Sequence, residues 1–148
     1  MSSKRVAPLD QEIAFNLRLA QAASFQAFKA TVGDRGLRPG HYAVLRMIAD
    51  RPGISQFALS RAVGRDKTTL TSLLQDMERR GLVKRDISAE DSRRRVISLT
   101  AAGRSYLSCL TQSAAEHDAR LNRVLGPDRA VLIALLQKLA AEIIDPEE

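Results

Sequence analysis

Apolar side chains recur at helical spacing along most of this chain, and the interruptions mark its elements. From about Gln11 to Thr31 two apolar lines share one segment. Ile13, Leu17, Ala20 and Phe28 run with Ser24 along one side, and Phe15, Leu19, Ala22 and Phe25 along another. A helix greasy on two sides is expected to be buried by more than its own core, and Asp10 stands where its N-cap belongs. Helical spacing resumes over His41 to Asp50 through Tyr42, Leu45 and Ile48. Ser55 then reads as an N-cap flanked by the staple pair Ile54 and Leu59. The short helix behind it ends near Gly64, a natural left-handed stop. Asp66 caps the next helix, which runs to Arg80 and is terminated by Gly81. Within it Leu70, Leu73, Leu74 and Met77 fall at i, i+3, i+4 and i+7, one inward stripe. Leu82 to Ile87 and Arg94 to Leu99 read as two short strands around the polar loop Ser88 to Arg93. Helix returns from Ala101 to about Leu125, and Gly126-Pro127 restarts it with Pro at the first helical position and Asp128 in the first turn. The last helix carries Val131, Leu132, Ile133, Leu135, Leu136, Leu139, Ile143 and Ile144, apolar round most of its circumference.

The Gly- and Pro-bearing stretches Gly33 to Gly40 and Arg51-Pro52-Gly53 are connections. The expected division is a loose tail over 1–9, a long helix over 10–32, a central module of helices and a hairpin over 33–100, and further helices over 101–148. The fold class is mainly α, with a short β-hairpin wing. At 148 residues, 45% hydrophobic but only 4% aromatic and without Trp, the chain must fill its core with Leu, Ile, Val and Ala, which suits helix packing. One cysteine cannot form an internal disulfide. Lys4 and Arg5 have no apolar run behind them, and no stretch is apolar enough to span a bilayer. A cytoplasmic protein without membrane partners is the expectation. Nucleophile elbow, phosphate-binding Gly loop and paired carboxylates are all missing, which argues against an enzyme. His41 and His117 come with no ligand-spaced companions, so no metal or cofactor is expected.

A short helix, a Gly turn, a second helix and a hairpin form the winged helix-turn-helix order. Opposite its apolar stripe the second helix carries Lys67, Thr68, Thr71, Ser72, Gln75 and Arg79. Short hydroxyl and amide side chains near a helix N-terminus suit base edges and phosphates in a major groove. The net charge is +6, and between Arg61 and Arg95 ten basic side chains stand against six acidic ones. That concentration is expected of a phosphate-binding surface, although a solvated helix face beside a charged loop would look similar.

Two stretches carry a family resemblance. Gly64 to Val83 resembles the recognition helix of MarR-type regulators. Ala89-Glu-Asp-Ser-Arg-Arg-Arg-Val-Ile-Ser-Leu-Thr-Ala-Ala-Gly103 resembles their wing and its exit. The resemblance implies a homodimer built from the terminal helices that binds palindromic duplex DNA, usually to repress. It makes Arg93 the wing-tip arginine of the minor groove and Asp91 the carboxylate that braces the wing by pairing with an arginine. Thr68, Thr71 and Ser72 correspond to groove-facing positions. With Ser55, Gln56, Arg65, Lys67, Gln75 and Arg94, these residues make up the expected DNA-contacting set. Ser72 and Asp76 replace basic residues frequent in the family, which is expected to weaken phosphate attraction, although Asp76 sits one turn beyond the N-terminal half of the helix, where it can lie outside the groove. A small effector, aromatic or anionic, is implied between the dimer arm and the DNA-binding module, where Phe15, Arg18, Leu19, His41, Tyr42 and Arg46 could line a cleft. His41 reads equally well as a surface residue. Two alternatives stand beside this reading: a sequence-indifferent architectural DNA-binding protein, and an oxidant sensor acting through Cys109. A small buried hydrophobe is the other reading of Cys109.

Overall fold

A computed structural model describes residues 6–33 and 35–143. The first five residues of the expected tail and Ile144 lie outside the described residues. The opening differs from expectation. Leu9–Gln11 form a 3₁₀ turn closed by the Gln11 N–H on the Pro8 carbonyl at 2.8 Å. Helix α1 (Ile13–Val32) begins only after Glu12, which is extended and makes no side-chain cap. Asp10 is therefore not the N-cap: Pro8 starts the turn early and absorbs Asp10 into it. The backbone carbonyls of Asp10 and Glu12 instead accept the Asn16 side-chain amide at 2.9 and 2.8 Å.

The central module follows from local chemistry. Helix α2 spans His41–Asp50 and α3 spans Gln56–Val63. The Ser55 hydroxyl oxygen accepts the Ala58 N–H at 3.2 Å, and Gly64 ends α3 with φ +63°. Helix α4 (Lys67–Arg79) starts at Asp66, whose carboxylate accepts both the backbone N–H and the hydroxyl of Thr69, at 2.8 and 2.7 Å. These two bonds hold the Asp66 carboxyl below its ordinary range. Strands β1 (Val83–Ile87) and β2 (Arg95–Leu99) pair antiparallel with Val83 opposite Leu99 and Arg85 opposite Ile97. The segment before α3 joins them through a Ser55–Val96 bridge and the Ile97 N–H on the Ile54 carbonyl at 3.2 Å. Val44, Leu45, Leu59, Leu70, Leu74, Met77, Ile97 and Leu110 are fully enclosed, so α2, α3, α4, β2 and the next helix share one core.

The exit from the wing explains the Leu-Thr-x-x-Gly run. The Thr100 hydroxyl donates to the Gly81 carbonyl at 2.6 Å and accepts the Gly103 N–H at 3.0 Å. One side chain thus caps helix α5 (Ala101–Leu125) and ties it to the turn after α4. Gly103 presses on the Leu82 backbone so closely that a Cβ would overlap the Leu82 carbonyl oxygen. Helix α5 packs on α1 and α2. After a 3₁₀ turn at Gly126–Asp128 comes helix α6 (Arg129–Glu142). No residue of α6 is buried, and Val131 and Leu135 are more than half exposed.

Candidate nucleic-acid interface

The apolar stripe of α4 is consumed by the core, and its opposite face is left to solvent. Lys67, Thr68, Ser72 and Gln75 are exposed there. Thr71 is half-buried between α4 and α3. Its hydroxyl donates to the Lys67 carbonyl at 2.7 Å and accepts the Gln56 side-chain amide at 3.0 Å. Gln56 thus braces the second helix from the first, while Ser55 serves as the α3 cap. Arg65 is half-buried with its guanidinium packed over Gly40, which has φ +90° and no Cβ to obstruct it.

Asp76, one turn beyond the N-terminal half of α4, is held by its own neighbours, and only its expected weakening of phosphate attraction is revised. Its carboxylate is turned inward, 19% exposed, among Arg79 at 3.1 Å, His41 at 3.5 Å, Arg80 at 3.7 Å and Arg38 at 3.9 Å. Three guanidinium groups around one carboxylate leave it no repulsion to exert on phosphate. Arg80 also donates to the carbonyls of Gly36 and Arg35 at 3.2 and 3.0 Å, and its head lies over the Tyr106 ring. His41 is likewise neither on the surface nor in a cleft: it is fully enclosed. The Arg38 backbone N–H donates to its Nδ1 at 3.3 Å, which places the ring proton on Nε2, facing Asp76. Burial, helped by the nearby Arg80 charge, lowers its pKa from 6.5 to about 4, so the imidazole is neutral. The expected ligand role for His41 is withdrawn on this geometry.

The wing is braced through its backbone. Asp91 accepts the Arg93 N–H on its carboxylate at 3.0 Å and the Arg94 N–H on its carbonyl at 3.0 Å. Among the described residues it makes no ion pair with an arginine, so the expected arginine partner is replaced by a main-chain donor two residues on. Arg93, Arg94 and Arg95 are exposed, and none of their guanidinium groups is held by another side chain among the described residues. Elsewhere the basic excess is partly spent. Arg85 pairs with Glu78 at 2.8 Å, and Arg61 lies over the exposed Phe57 ring.

A cleft of about 460 Å³ opens between α1, α2 and α5. Phe28, Tyr42, Arg46, Thr111, Ala114, Ala115, His117, Asp118 and Leu121 line it. Of the expected ligand residues, Tyr42 and Arg46 are in this wall. Phe15, Arg18 and Leu19 lie outside it, on the first half of α1. Arg46 bonds Asp50 at 3.2 Å and reaches the Tyr42 hydroxyl at 3.4 Å; the Asp50 charge raises its pKa above the ordinary arginine value. His117, weighed in the sequence only as a metal ligand, is also in this wall. Its Nε2 meets the Ser24 hydroxyl at 2.9 Å, and its ring lies against Phe28. A signal did exist: Leu107, Leu110, Ala114, His117 and Leu121 continue one helical line, so the histidine sits at a core phase. Cys109 on α5 is half-buried and accepts a hydrogen bond from Arg35 at 3.1 Å.

Solved structures match this arrangement nearly end to end. PcaV of Streptomyces coelicolor, in complex with its natural ligand, superposes with a TM-score of 0.84 at 24% identity over 96% of this chain and 99% of its own, a likeness of fold. The repressor CouR bound to a 23-mer DNA duplex superposes at 0.80 with 29% identity, over 94% of this chain and 99% of CouR. CouR bound to p-coumaroyl-CoA gives 0.81 at 27% identity, over 95% and 99%. A helix-turn-helix with an uncovered polar second helix and a basic hairpin makes the chain a winged-helix DNA-binding protein. Sequence narrows the class. A MarR family profile matches residues 35–94. A Thauera aromatica protein named for regulating the hcr operon is 35% identical over 130 residues, 86% of this chain and 78% of that one. The transcriptional regulator HosA of Escherichia coli is 40% identical over 99 residues, 66% and 73%. The chain belongs to the MarR family of transcriptional regulators.

Proposed function

We propose that this regulator is a repressor that binds a palindromic duplex operator as a homodimer, and that a small molecule seated between α1, α2 and α5 weakens its hold on DNA. Residues 33–100 act as the DNA-binding module, with 10–32 and 101–148 as the dimerising arms. The observation that carries the reading is the outward face of α4, where Lys67, Thr68, Ser72 and Gln75 stand clear of a core that takes every apolar residue of the same helix. Arg93 and Arg94 extend that surface at the wing. One recognition helix reads only a few base pairs, so two held about one DNA turn apart are needed for a selective site. The uncovered apolar surface of α6 supplies a reason for two chains to associate.

The cleft supports the effector. Its walls are mostly apolar, with Phe28 and Tyr42 in edge contact; Arg46, which also pairs with Asp50, is its cation, and the one carboxylate in its lining, Asp118, is paired with Arg129 at 3.0 Å. A flat molecule carrying an acidic group suits that lining. Helix α2 gives a route to the DNA face. It holds Tyr42 and Arg46 in the cleft wall and, one residue earlier, His41 against Asp76 of α4. A ligand preferring one placement of α2 would thereby bias α4. The test is anisotropy titration with fragments of the source genome over a salt series. One fragment should bind far more tightly than random duplex, and Arg93→Ala, which removes one arginine from each of two wings, should flatten the salt slope by about two units. Absence of duplex binding at low salt would end this reading.

A further inference from the structure

The polar side chains on and around α4 are not equally able to read bases. Each Thr or Ser hydroxyl has one proton to give. Thr69 spends its proton on Asp66, at 2.7 Å, and Thr71 spends its own on the Lys67 carbonyl, also at 2.7 Å. Gln56 lies half-buried on α3 and gives one of its two amide protons to Thr71. On α4 what remains is Thr68, Ser72 and Gln75, all exposed and with no side-chain hydrogen bond to another described residue. They fall at i, i+4 and i+7 on one line of the helix. Seven residues rise about 10 Å, which matches roughly three base-pair steps of about 3.4 Å each.

Granted the duplex binding proposed above, we propose that base discrimination in the major groove rests on Thr68, Ser72 and Gln75, and that they select A·T over G·C pairs, with adenine under Gln75. Guanine is read best by an arginine or lysine fork on O6 and N7; an amide matches adenine N6 and N7, and a threonine methyl packs on the thymine methyl. This line carries no guanidinium before Arg79, which is drawn to Asp76 at 3.1 Å. Lys67 lies off this line, on the side of Thr71, and its charge at the helix N-terminus suits a phosphate. The uncommitted Arg93 pulls the same way, since arginines favour the narrow minor groove of A-tracts.

The experiment is selection from a duplex library with both half-sites randomised, using the full-length protein and three variants. The parent should enrich A·T at consecutive positions of each half-site. Gln75→Ala should lose the adenine preference at one position of each half-site and bind the selected site about a hundredfold more weakly, roughly tenfold for each half-site. Ser72→Arg should gain guanine at the neighbouring position, and Gln112→Ala, an exposed change on α5 away from α4, should leave the base profile as it was. Enrichment of guanine by the parent at these positions, or an unchanged profile for Gln75→Ala, would overturn the assignment while leaving the regulator reading intact. Failure of the parent to enrich any sequence would overturn both. Thr68, Ser72 and Gln75 are exposed, so circular dichroism should show the Gln75 and Ser72 variants folded as the parent.

Discussion

Gly103 stands three residues after the Thr100 cap, where α5 meets the turn leaving α4. The atom that a methyl group would strike is the Leu82 carbonyl oxygen, part of the backbone and unable to swing aside. Gly103→Ala is therefore expected to cost about 2–4 kcal/mol, read as a lower urea midpoint with the slope retained. His41 gives a second expectation, in pH. An unfolded histidine takes up a proton near 6.5, whereas burial holds the folded one to about 4. Between those values the unfolded chain binds the extra proton, so stability is full above pH 6.5 and drains as pH falls toward 4. The loss is roughly 3 kcal/mol across that window. Urea unfolding at pH 7 and pH 4.5 should show the drop, and His41→Asn should remove most of it. Neither role was legible in sequence. Helical phase placed Asp76 beside the groove face. The groups that turn it inward, Arg38 and His41, arrive from some 35 residues upstream, beyond the reach of any local pattern.

Elements were legible wherever their boundaries are local chemistry. Ser55, Gly64, Asp66 and Gly81 mark the ends of α3 and α4 through contacts within a few residues, and the structure puts caps and positive φ angles there. The start of α1 was misread because a 3₁₀ turn and a cap share the same Pro and Asp vocabulary. The cleft was half read. Tyr42 and Arg46 sit on a helix whose phase was clear, but Phe28, Thr111 and His117 reach the same space from elements distant in sequence. Two expectations belong at this scale. Asp66→Ala removes both bonds to Thr69, so the first turn of α4 should fray. Thermal melting should fall by a few degrees, and operator affinity should drop several-fold because Lys67 and Thr68 lie in that turn. Asp76→Asn keeps the side chain's size but takes the negative charge from among Arg38, Arg79 and Arg80. Operator binding should then lose its response to a cleft ligand, while isothermal titration still detects that ligand. An undiminished response would remove Asp76 from the coupling route.

For the molecule as a whole, the unresolved energetic problem is α6. Its apolar residues touch little of their own chain: Val131 is 59% exposed, Leu135 54% and Leu136 40%. The module between the arms shows the contrast, since every apolar residue on its recognition helix is enclosed. Monomeric proteins seldom leave a continuous apolar helix in water, and two copies could cover each other's α6 together with the exposed Ile13, Leu17 and Leu19 of α1. Replacing both Leu132 and Leu136 by Lys puts two cations into that surface without touching the core. Sedimentation should then show one chain where the parent shows two, with the helical signal of the module retained. Operator affinity should fall by about two orders of magnitude or more, because linking two half-site readers multiplies binding by roughly 10²–10⁴. The salt slope should shrink in step, each chain having surrendered its partner's phosphate contacts. A double variant that still sediments as two chains would place the pairing surface elsewhere. One that is a monomer yet binds the operator undiminished would show that a single winged module carries the recognition, and the palindrome would then have no physical basis.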